Sequence, residues 1–189
     1  MNGKFLLRKS SLAIVCFFLF SSLAYAKPLD KAHLSNEITY TLKEVGLYSK
    51  DMHNLLMGTA AAETDFGQCP TMNRGPDLGV FQIEKSTHDD IWENWLSAKP
   101  VLTKKLKSVM WPAVPKVVQL KFNMRYQIAM AAIHYDRAHY VTKCLDRKKF
   151  TSKSDYIWWL AYVHKRYYNS FKGKSTTLRY YQKYHEYII

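Results

Sequence analysis

One glutamate has the surroundings of an acid catalyst. Glu63 follows a run of residues spaced by three and four, namely Met52, Leu55, Leu56, Thr59 and Ala60. The spacing predicts a helix from about 51 to about 67 with Glu63 on its apolar stripe. Burial and the negative end of the helix dipole both favour the protonated carboxyl, which can protonate a leaving glycosidic oxygen. The alternative is a buried ion pair with one of three arginines, Arg74, Arg125 or Arg137.

A second carboxylate would indicate a hydrolytic glycosidase, which normally needs two. Asp65, Asp77 and Glu84 are close enough in the sequence to be considered. Asp65 follows Glu63 by two residues and therefore faces elsewhere if the helix continues. None of the three is a compelling partner, so chemistry with one carboxylate fits the sequence better.

The elements that position Glu63 are predicted to be helices. Apolar spacing predicts a first helix from Asp30 to the stop at Gly46. The segment 67–86 is rich in Gly, Pro, Asn and Asp and is predicted to be a loop or a small β excursion. Further helices are predicted at 86–96, 102–110, 117–140 and 156–170, with a last one starting at Ser175 or Thr176. The fold class is therefore mainly α. His134 and His164 lie on apolar helical stretches and are predicted to be core histidines.

The first 26 residues are predicted to be a secretory signal. Basic residues precede the apolar run 12–20, and Ala24-Tyr25-Ala26 places small residues where a signal peptidase cuts. The run is shorter than the roughly 20 residues that cross a bilayer, and no later stretch is apolar enough to do so. The remainder, 27–189, has the length of one ordinary domain, and no linker divides it.

Charge and export together restrict the partners. The chain has a net charge of +13 at pH 7, which concentrates anionic partners at its surface, although scattered lysines can also serve solubility alone. An exported protein meets envelope polymers rather than nucleic acid, so we expect a periplasmic or extracellular monomer with no nucleic-acid partner. Cys69 and Cys144 remain after the signal and can pair in an oxidising compartment. We expect neither a metal site nor a cofactor, because the cysteines are isolated and no His-rich spacing accompanies them.

Two motifs lie on either side of the predicted loop. Glu63-Thr64 is near the end of the helix, and Gly79-Val80-Phe81-Gln82 follows the loop. They resemble the catalytic segment of soluble lytic transglycosylases and their goose-type lysozyme relatives, in which a helix ends in Glu-Ser and Gly-Leu-Met-Gln follows. The likeness is greatest to phage-type members, in which a Thr-His and a Trp-rich helix come next, as in Thr87-His88 and Ile91-Trp92.

Two further stretches follow in the order of that family. The apolar segment 128–135 is similar to its Ala-rich third helix. Tyr168-Asn169 with Gly173 looks like a loosened form of its Ala-Tyr-Asn-Ala-Gly motif, and Tyr162 competes with Tyr168 as the functional tyrosine. The resemblance spans residues 52 to about 180, and its first two motifs are the specific ones.

The resemblance implies a lysozyme-like helical domain that cleaves peptidoglycan glycan strands between N-acetylmuramic acid and N-acetylglucosamine. Glu63 would protonate the glycosidic oxygen and then remove the proton of the muramyl 6-hydroxyl, which leaves an anhydromuramyl end. The residues that the resemblance assigns to substrate binding are Thr64, Phe81, Gln82, Tyr135, Tyr162, Tyr168 and Asn169. A hydrolytic muramidase and a non-catalytic basic protein that binds the envelope or nucleic acid are the alternatives.

Overall fold

The computed structural model describes residues 29–69, 72–138, 150–169 and 175–189. The predicted signal, Cys144 and Gly173 lie outside the described residues, so the pairing of Cys69 with Cys144 stays a prediction. The described residues form helices and a single two-stranded sheet, which confirms the mainly α fold class. Within these ranges, no helix combines the length and the apolar character needed to span a bilayer.

The first two helices have well-defined ends. Helix α1 (Lys31–Val45) begins after Asp30, whose carboxylate accepts the amide of His33, and ends at Gly46 with φ 76°. Both ends agree with the sequence prediction. Helix α2 (Lys50–Thr64) begins after Ser49, whose hydroxyl accepts the amide of Met52, and ends at Asp65 in the left-handed conformation with φ 49°. Glu63 and Thr64 are therefore the last two residues of α2, which ends before the stop predicted near Gly67.

A short hairpin follows α2. Strand β1 (Asp77–Leu78) pairs antiparallel with strand β2 (Ile83–Glu84), with Asp77 opposite Glu84 and Leu78 opposite Ile83. Residues 79–82, the second motif, form the turn between them. This is the small β excursion that the Gly-rich and Pro-rich composition predicts.

The next helices depart from the prediction in detail. Helix α3 (Lys85–Asp90) begins after Glu84 and not at Ser86 or Thr87, so neither hydroxyl is its cap. A π-helical turn (Ile91–Trp95) and a 3-10 turn (Leu96–Ala98) continue it, and helix α4 (Pro100–Ser108) follows.

The long helix predicted at 117–140 is divided in two. Helix α5 (Lys116–Phe122) ends at Asn123, whose backbone is extended with φ −93° and ψ 100°, and helix α6 (Met124–Asp136) begins there. The Asn123 side chain accepts the amide of Tyr126 at 3.2 Å and donates to the carbonyl of Val109 at 3.0 Å. An asparagine that caps a new helix therefore overrides the continuous apolar spacing.

Two helices complete the described chain. Helix α7 (Lys153–Val163) begins after Ser152 and continues into a π-helical turn (His164–Tyr168). Helix α8 (Thr177–Ile188) is capped by Thr176, as predicted, through a bond from the amide of Arg179. π-Helical turns are uncommon, and those that occur are often found at functional sites. This one precedes Asn169 of the fourth motif.

Helix α2 lies at the centre of the fold. It contacts α1, α6, α7 and α8, and most of its residues from Leu55 to Thr64 are buried. Small residues, Gly58 and Ala60 to Ala62, let the neighbouring helices approach closely. This packing holds the end of α2, with Glu63, against the π-helical turn that follows α7.

Gly58 is expected to be essential for the packing of α8 on α2. A Cβ at this position would lie 2.0 Å from the hydroxyl oxygen of Tyr180 and 2.2 Å from its Cζ. We expect Gly58→Ala to lower the free energy of unfolding by about 1 to 2 kcal/mol, because the clash outweighs the better helix propensity of alanine. Urea unfolding measures the change. The double variant Gly58→Ala/Tyr180→Leu should cost less than the sum of the single variants, and simple additivity would contradict the contact.

Candidate active site

Glu63 lies in the last turn of α2 and is partly accessible. Its side chain is 15% exposed, so it is neither a core residue nor a freely solvated one. The amides of Asp65 and Phe66 bond back to the carbonyls of Ala61 and Ala60 and close the helix end. The carboxyl group is therefore held at the negative end of the helix, on a rigid element.

Two side chains from the end of α7 meet the carboxyl group. Nε2 of His164, which is 0% exposed, lies 3.0 Å from Oε1 of Glu63. The direction of this contact is off the line of a good hydrogen bond, so it is a close polar contact. The amide of Asn169 donates to the same oxygen at 3.5 Å, a long and weak bond. The first and fourth motifs therefore meet at Glu63.

The other nitrogen of His164 connects the site to the core. Nδ1 lies 3.0 Å from the hydroxyl of Tyr135, and that hydroxyl lies 2.7 Å from Oγ1 of Thr59. Thr59 donates in turn to the carbonyl of Leu55 at 2.8 Å. Glu63 is thus backed by a continuous polar chain through a fully buried region.

None of the three arginines considered as ion-pair partners forms an ion pair with Glu63. Arg125 binds Glu37 at 2.8 Å, and Arg137 binds Asp90, while Arg74 is an exposed loop residue. The ion-pair alternative is therefore wrong for Arg125 and Arg137, because helix packing directs both to other carboxylates.

The turn at 79–82 is fixed from several sides. The Thr64 hydroxyl donates to the carbonyl of Val80 at 2.9 Å, and the backbone N–H of Val80 donates to Oε1 of Gln127 at 2.8 Å. The Gln82 side chain donates to the carbonyl of Gly79 at 2.7 Å. The second motif is therefore attached to the end of α2 and to α6. The Gln82 side chain is therefore hydrogen-bonded within its own turn, although the residue is partly exposed.

Tyr168 joins the turn to the buried rings. Its hydroxyl donates to the carbonyl of Phe81 at 2.7 Å, and its ring stacks on Tyr135 at 4.8 Å between centroids. Burial raises the pKa of Tyr168 well above its usual range, and the charges of Glu63 and Asp77 raise it further. The hydroxyl therefore keeps its proton near neutral pH and holds the turn as a hydrogen-bond donor.

The structure changes the predicted roles of several residues. Thr64, Phe81 and Tyr135 have no exposed side-chain surface, so their side chains support the site and do not reach a substrate. Tyr162 is 55% exposed on the outer side of α7, whereas Tyr168 contacts the site, which favours Tyr168 as the functional tyrosine. Gln82, Tyr168 and Asn169 are the partly exposed members of the predicted set.

Asp77 is the second carboxyl group whose charge reaches the site. Burial is the main cause that raises the pKa of Asp77, and the negative charges of Glu84 and Glu63 raise it further. Asp65, in contrast, binds Lys183 at 2.8 Å. Asp77 on β1 is therefore close enough to Glu63 for the two charges to interact.

Sequence reasoning missed His164 as a site residue. The apolar spacing predicts a core histidine, and the ring is indeed fully buried, but one of its nitrogens faces Glu63. The only local signal is its position four residues before Tyr168, which puts the two side chains near the same face of the helical turn. The described residues contain no group of three or more His, Cys, Asp or Glu side chains that could hold a metal.

Comparisons of the chain with protein-family models, with curated proteins and with solved structures found no significant match. The mainly helical class and the grouping of Glu63, His164, Tyr168 and Asn169 therefore rest on the sequence and structure of this chain.

His134, beside Tyr168, gives the protein a pH-dependent stability. Burial lowers the pKa of its ring from 6.5 to about 4, and the charge of Arg137 acts in the same direction. The unfolded chain binds this proton near pH 6.5 and the folded chain near pH 4, so the contribution is fully present above the first value and is lost as the pH falls to the second. The shift corresponds to about 3 kcal/mol.

We expect His134→Gln to flatten the pH dependence of the free energy of unfolding between pH 6.5 and pH 4. Urea unfolding across this interval measures the slope in the parent and in the variant. His185→Gln, a change in an exposed histidine of α8, is the control and should keep the slope of the parent. An equal slope in parent and His134→Gln would show that the ring is not buried as described.

Proposed function

We propose that the protein is a peptidoglycan lytic transglycosylase with Glu63 as its single acid and base. The observation that supports this most is that the second and fourth motifs are both attached to the end of α2, where Glu63 lies. Glu63 contacts Asn169, and Tyr168 bonds to the turn that contains Gln82. A partly exposed carboxyl at a rigid helix end, next to the partly exposed Asn169 amide, suits proton transfer to a bound sugar.

The proposed reaction needs no water. The Glu63 carboxyl protonates the glycosidic oxygen, the bond from that oxygen to C1 of N-acetylmuramic acid breaks, and N-acetylglucosamine leaves with a free 4-hydroxyl. The Glu63 carboxylate then removes the proton of the muramyl 6-hydroxyl as this oxygen bonds to C1. The product is a 1,6-anhydromuramyl end, and Glu63 regains its proton for the next cycle.

The charge of the protein suits an anionic polymer as substrate. The chain has a net charge of +13. Two tryptophans of the π-helical turn after α3 lie under lysine ammonium groups, Trp92 under Lys116 at 3.8 Å and Trp95 under Lys99 at 4.2 Å. Such pairs keep cationic groups in fixed positions at the surface. A partly anionic wall glycan is attracted to this distribution of charge.

Asp77 favours one alternative, a hydrolytic muramidase. A hydrolase needs a second carboxylate to activate water or to stabilise the sugar cation. The charge of Asp77 interacts with that of Glu63, so the fold offers a candidate for this role. In that case Asp77→Asn would abolish cleavage, whereas the one-carboxylate reaction requires only Glu63.

Analysis of the released fragments tests the proposal. The mature protein is incubated with purified peptidoglycan, and the soluble muropeptides are identified by mass spectrometry. Anhydromuramyl ends support the transglycosylase, and reducing ends, which are heavier by one water, support the hydrolase. A protein that sediments with the wall and releases no fragments is a binding protein, and the proposed function is then wrong.

A further inference from the structure

Close polar contacts run from Glu63 into the core through His164. Its Nε2 lies 3.0 Å from Oε1 of Glu63, and its Nδ1 lies 3.0 Å from the hydroxyl of Tyr135. The hydroxyls of Tyr135 and Thr59 are 2.7 Å apart, and the Thr59 hydroxyl is 2.8 Å from the carbonyl oxygen of Leu55. Three of these four contacts are hydrogen bonds, so the protons of the chain of contacts can be counted from its Leu55 end.

The Leu55 end sets the direction of every bond. A carbonyl oxygen only accepts, so the proton of Thr59 is directed to Leu55. The hydroxyl of Tyr135 must then donate to Thr59, and its oxygen accepts an N–H from Nδ1 of His164. The ring is therefore protonated on Nδ1. A neutral ring then has its lone pair on Nε2, which faces Glu63.

We propose that neutral His164 accepts the carboxyl proton of Glu63 at Nε2 and is the positioning residue of the acid catalyst. The inference rests on the function proposed above for Glu63. Rotation of the carboxyl group aligns this bond, because the last torsion of a glutamate side chain is broad and soft. Without the carboxyl proton, a lone pair and a carboxylate would face each other in a buried site, which is unfavourable. A neutral His164 ring therefore requires the carboxyl proton between its Nε2 and Oε1 of Glu63.

The other groups around the pair do not supply that proton. Burial lowers the pKa of His134 to about 4 and raises the pKa of three tyrosines, Tyr135, Tyr168 and Tyr180, well above their usual range. Arg179 of α8 donates to the carbonyl of Ala62. Burial raises the pKa of Asp77 on β1, and the charges of Glu84 and Glu63 raise it further.

Removal of one hydroxyl group tests the direction of the chain. In Tyr135→Phe the Nδ1 proton loses its acceptor, so the ring can carry its proton on Nε2 and donate to a Glu63 carboxylate. We expect the alkaline limb of the pH–rate profile for wall solubilisation to move to lower pH by about one unit, the equivalent of one hydrogen bond. Tyr180→Phe is the matched control. This variant also removes a buried hydroxyl, which donates to the carbonyl of Leu55 at 3.0 Å. The Tyr180 ring lies tilted against that of His164, with 4.9 Å between the centroids.

The control is expected to leave the alkaline limb in place, since the hydroxyl of Tyr180 does not bond to His164. Equal shifts in both variants would assign the effect to packing and overturn the proposal. An unchanged limb in Tyr135→Phe would overturn it as well.

Nuclear magnetic resonance of the parent protein gives a test that needs no turnover. The imidazole nitrogen signals of His164 are assigned by their loss in His164→Gln. Protonation of Nδ1 alone at neutral pH supports the proposal, and protonation of Nε2 alone or of both nitrogens overturns it. If the protein does not cleave peptidoglycan at any pH, the proposed function fails, and these signals still decide the state of His164.

Discussion

Replacement of Glu63 by glutamine is expected to slow the release of soluble fragments from purified peptidoglycan by about 10² to 10⁴-fold. Glutamine keeps the size and shape of the side chain and an oxygen for the amide of Asn169, which donates to Glu63 at 3.5 Å in the parent. It has no acidic proton, however, and cannot later remove the proton of the muramyl hydroxyl. Both steps of the proposed reaction are therefore lost, while the fold is retained.

The matched control is Glu93→Gln, an equivalent change in an exposed glutamate of the π-helical turn after α3. It also replaces one carboxyl group by an amide and should leave the rate within a factor of about two, because long-range surface charges are screened. Melting temperatures of both variants show that the proteins are folded. Clearing by Glu63→Gln at the rate of the parent would remove Glu63 from the mechanism.

Most helices follow from local chemistry that the sequence displays. Asp30, Gly46 and Thr176 mark helix ends because their side chains or backbone conformations satisfy the unpaired groups there. The apolar spacing before Glu63 predicts α2, and the composition of 67–86 predicts the break that contains the hairpin. These signals act over a few residues, so they are visible without knowledge of the fold.

The break at Asn123 could not be seen from spacing. Apolar residues continue on both sides of it, and an asparagine inside such a run is compatible with one helix or with two. What decides is a bond to the carbonyl of Val109 in the chain segment after α4, together with the cap on Tyr126. The first of these depends on the packing of distant segments, which local patterns do not specify.

The same limit applies to the site. The position of Glu63 on the apolar stripe is a local property, but its neighbours are not. His164 and Asn169 reach it from about a hundred residues further along the chain, and Arg125 binds Glu37 because α1 packs on α6. Asn169 could be predicted as a site residue because it belongs to the fourth motif, which follows the others in the family's order. His164 belongs to no motif, and its contact with Glu63 follows from the fold alone.

The turn that follows the helix of Glu63 depends on one glycine. Gly79 has φ 72°, and a Cβ there would lie 2.4 Å from Oε1 of Gln127 and 2.5 Å from the backbone oxygen of Leu120. Gly79→Ala therefore combines an unfavourable backbone conformation with a clash against a main-chain atom that cannot move aside. We expect the free energy of unfolding to fall by about 4 kcal/mol.

The activity of Gly79→Ala should also fall, even where the protein is folded. Gln127 accepts the amide of Val80, so displacing its side chain releases the turn whose Phe81 carbonyl binds Tyr168. The control is Gly75→Ala in the same loop, where a Cβ meets nothing within 4 Å; we expect its stability within about 0.5 kcal/mol of the parent. Urea unfolding and wall solubilisation, measured well below the melting temperature, separate the two effects. Equal stability of the two alanine variants would mean that Gln127 and Leu120 do not enclose Gly79, and the turn would then lack the rigidity that places the second motif beside Glu63.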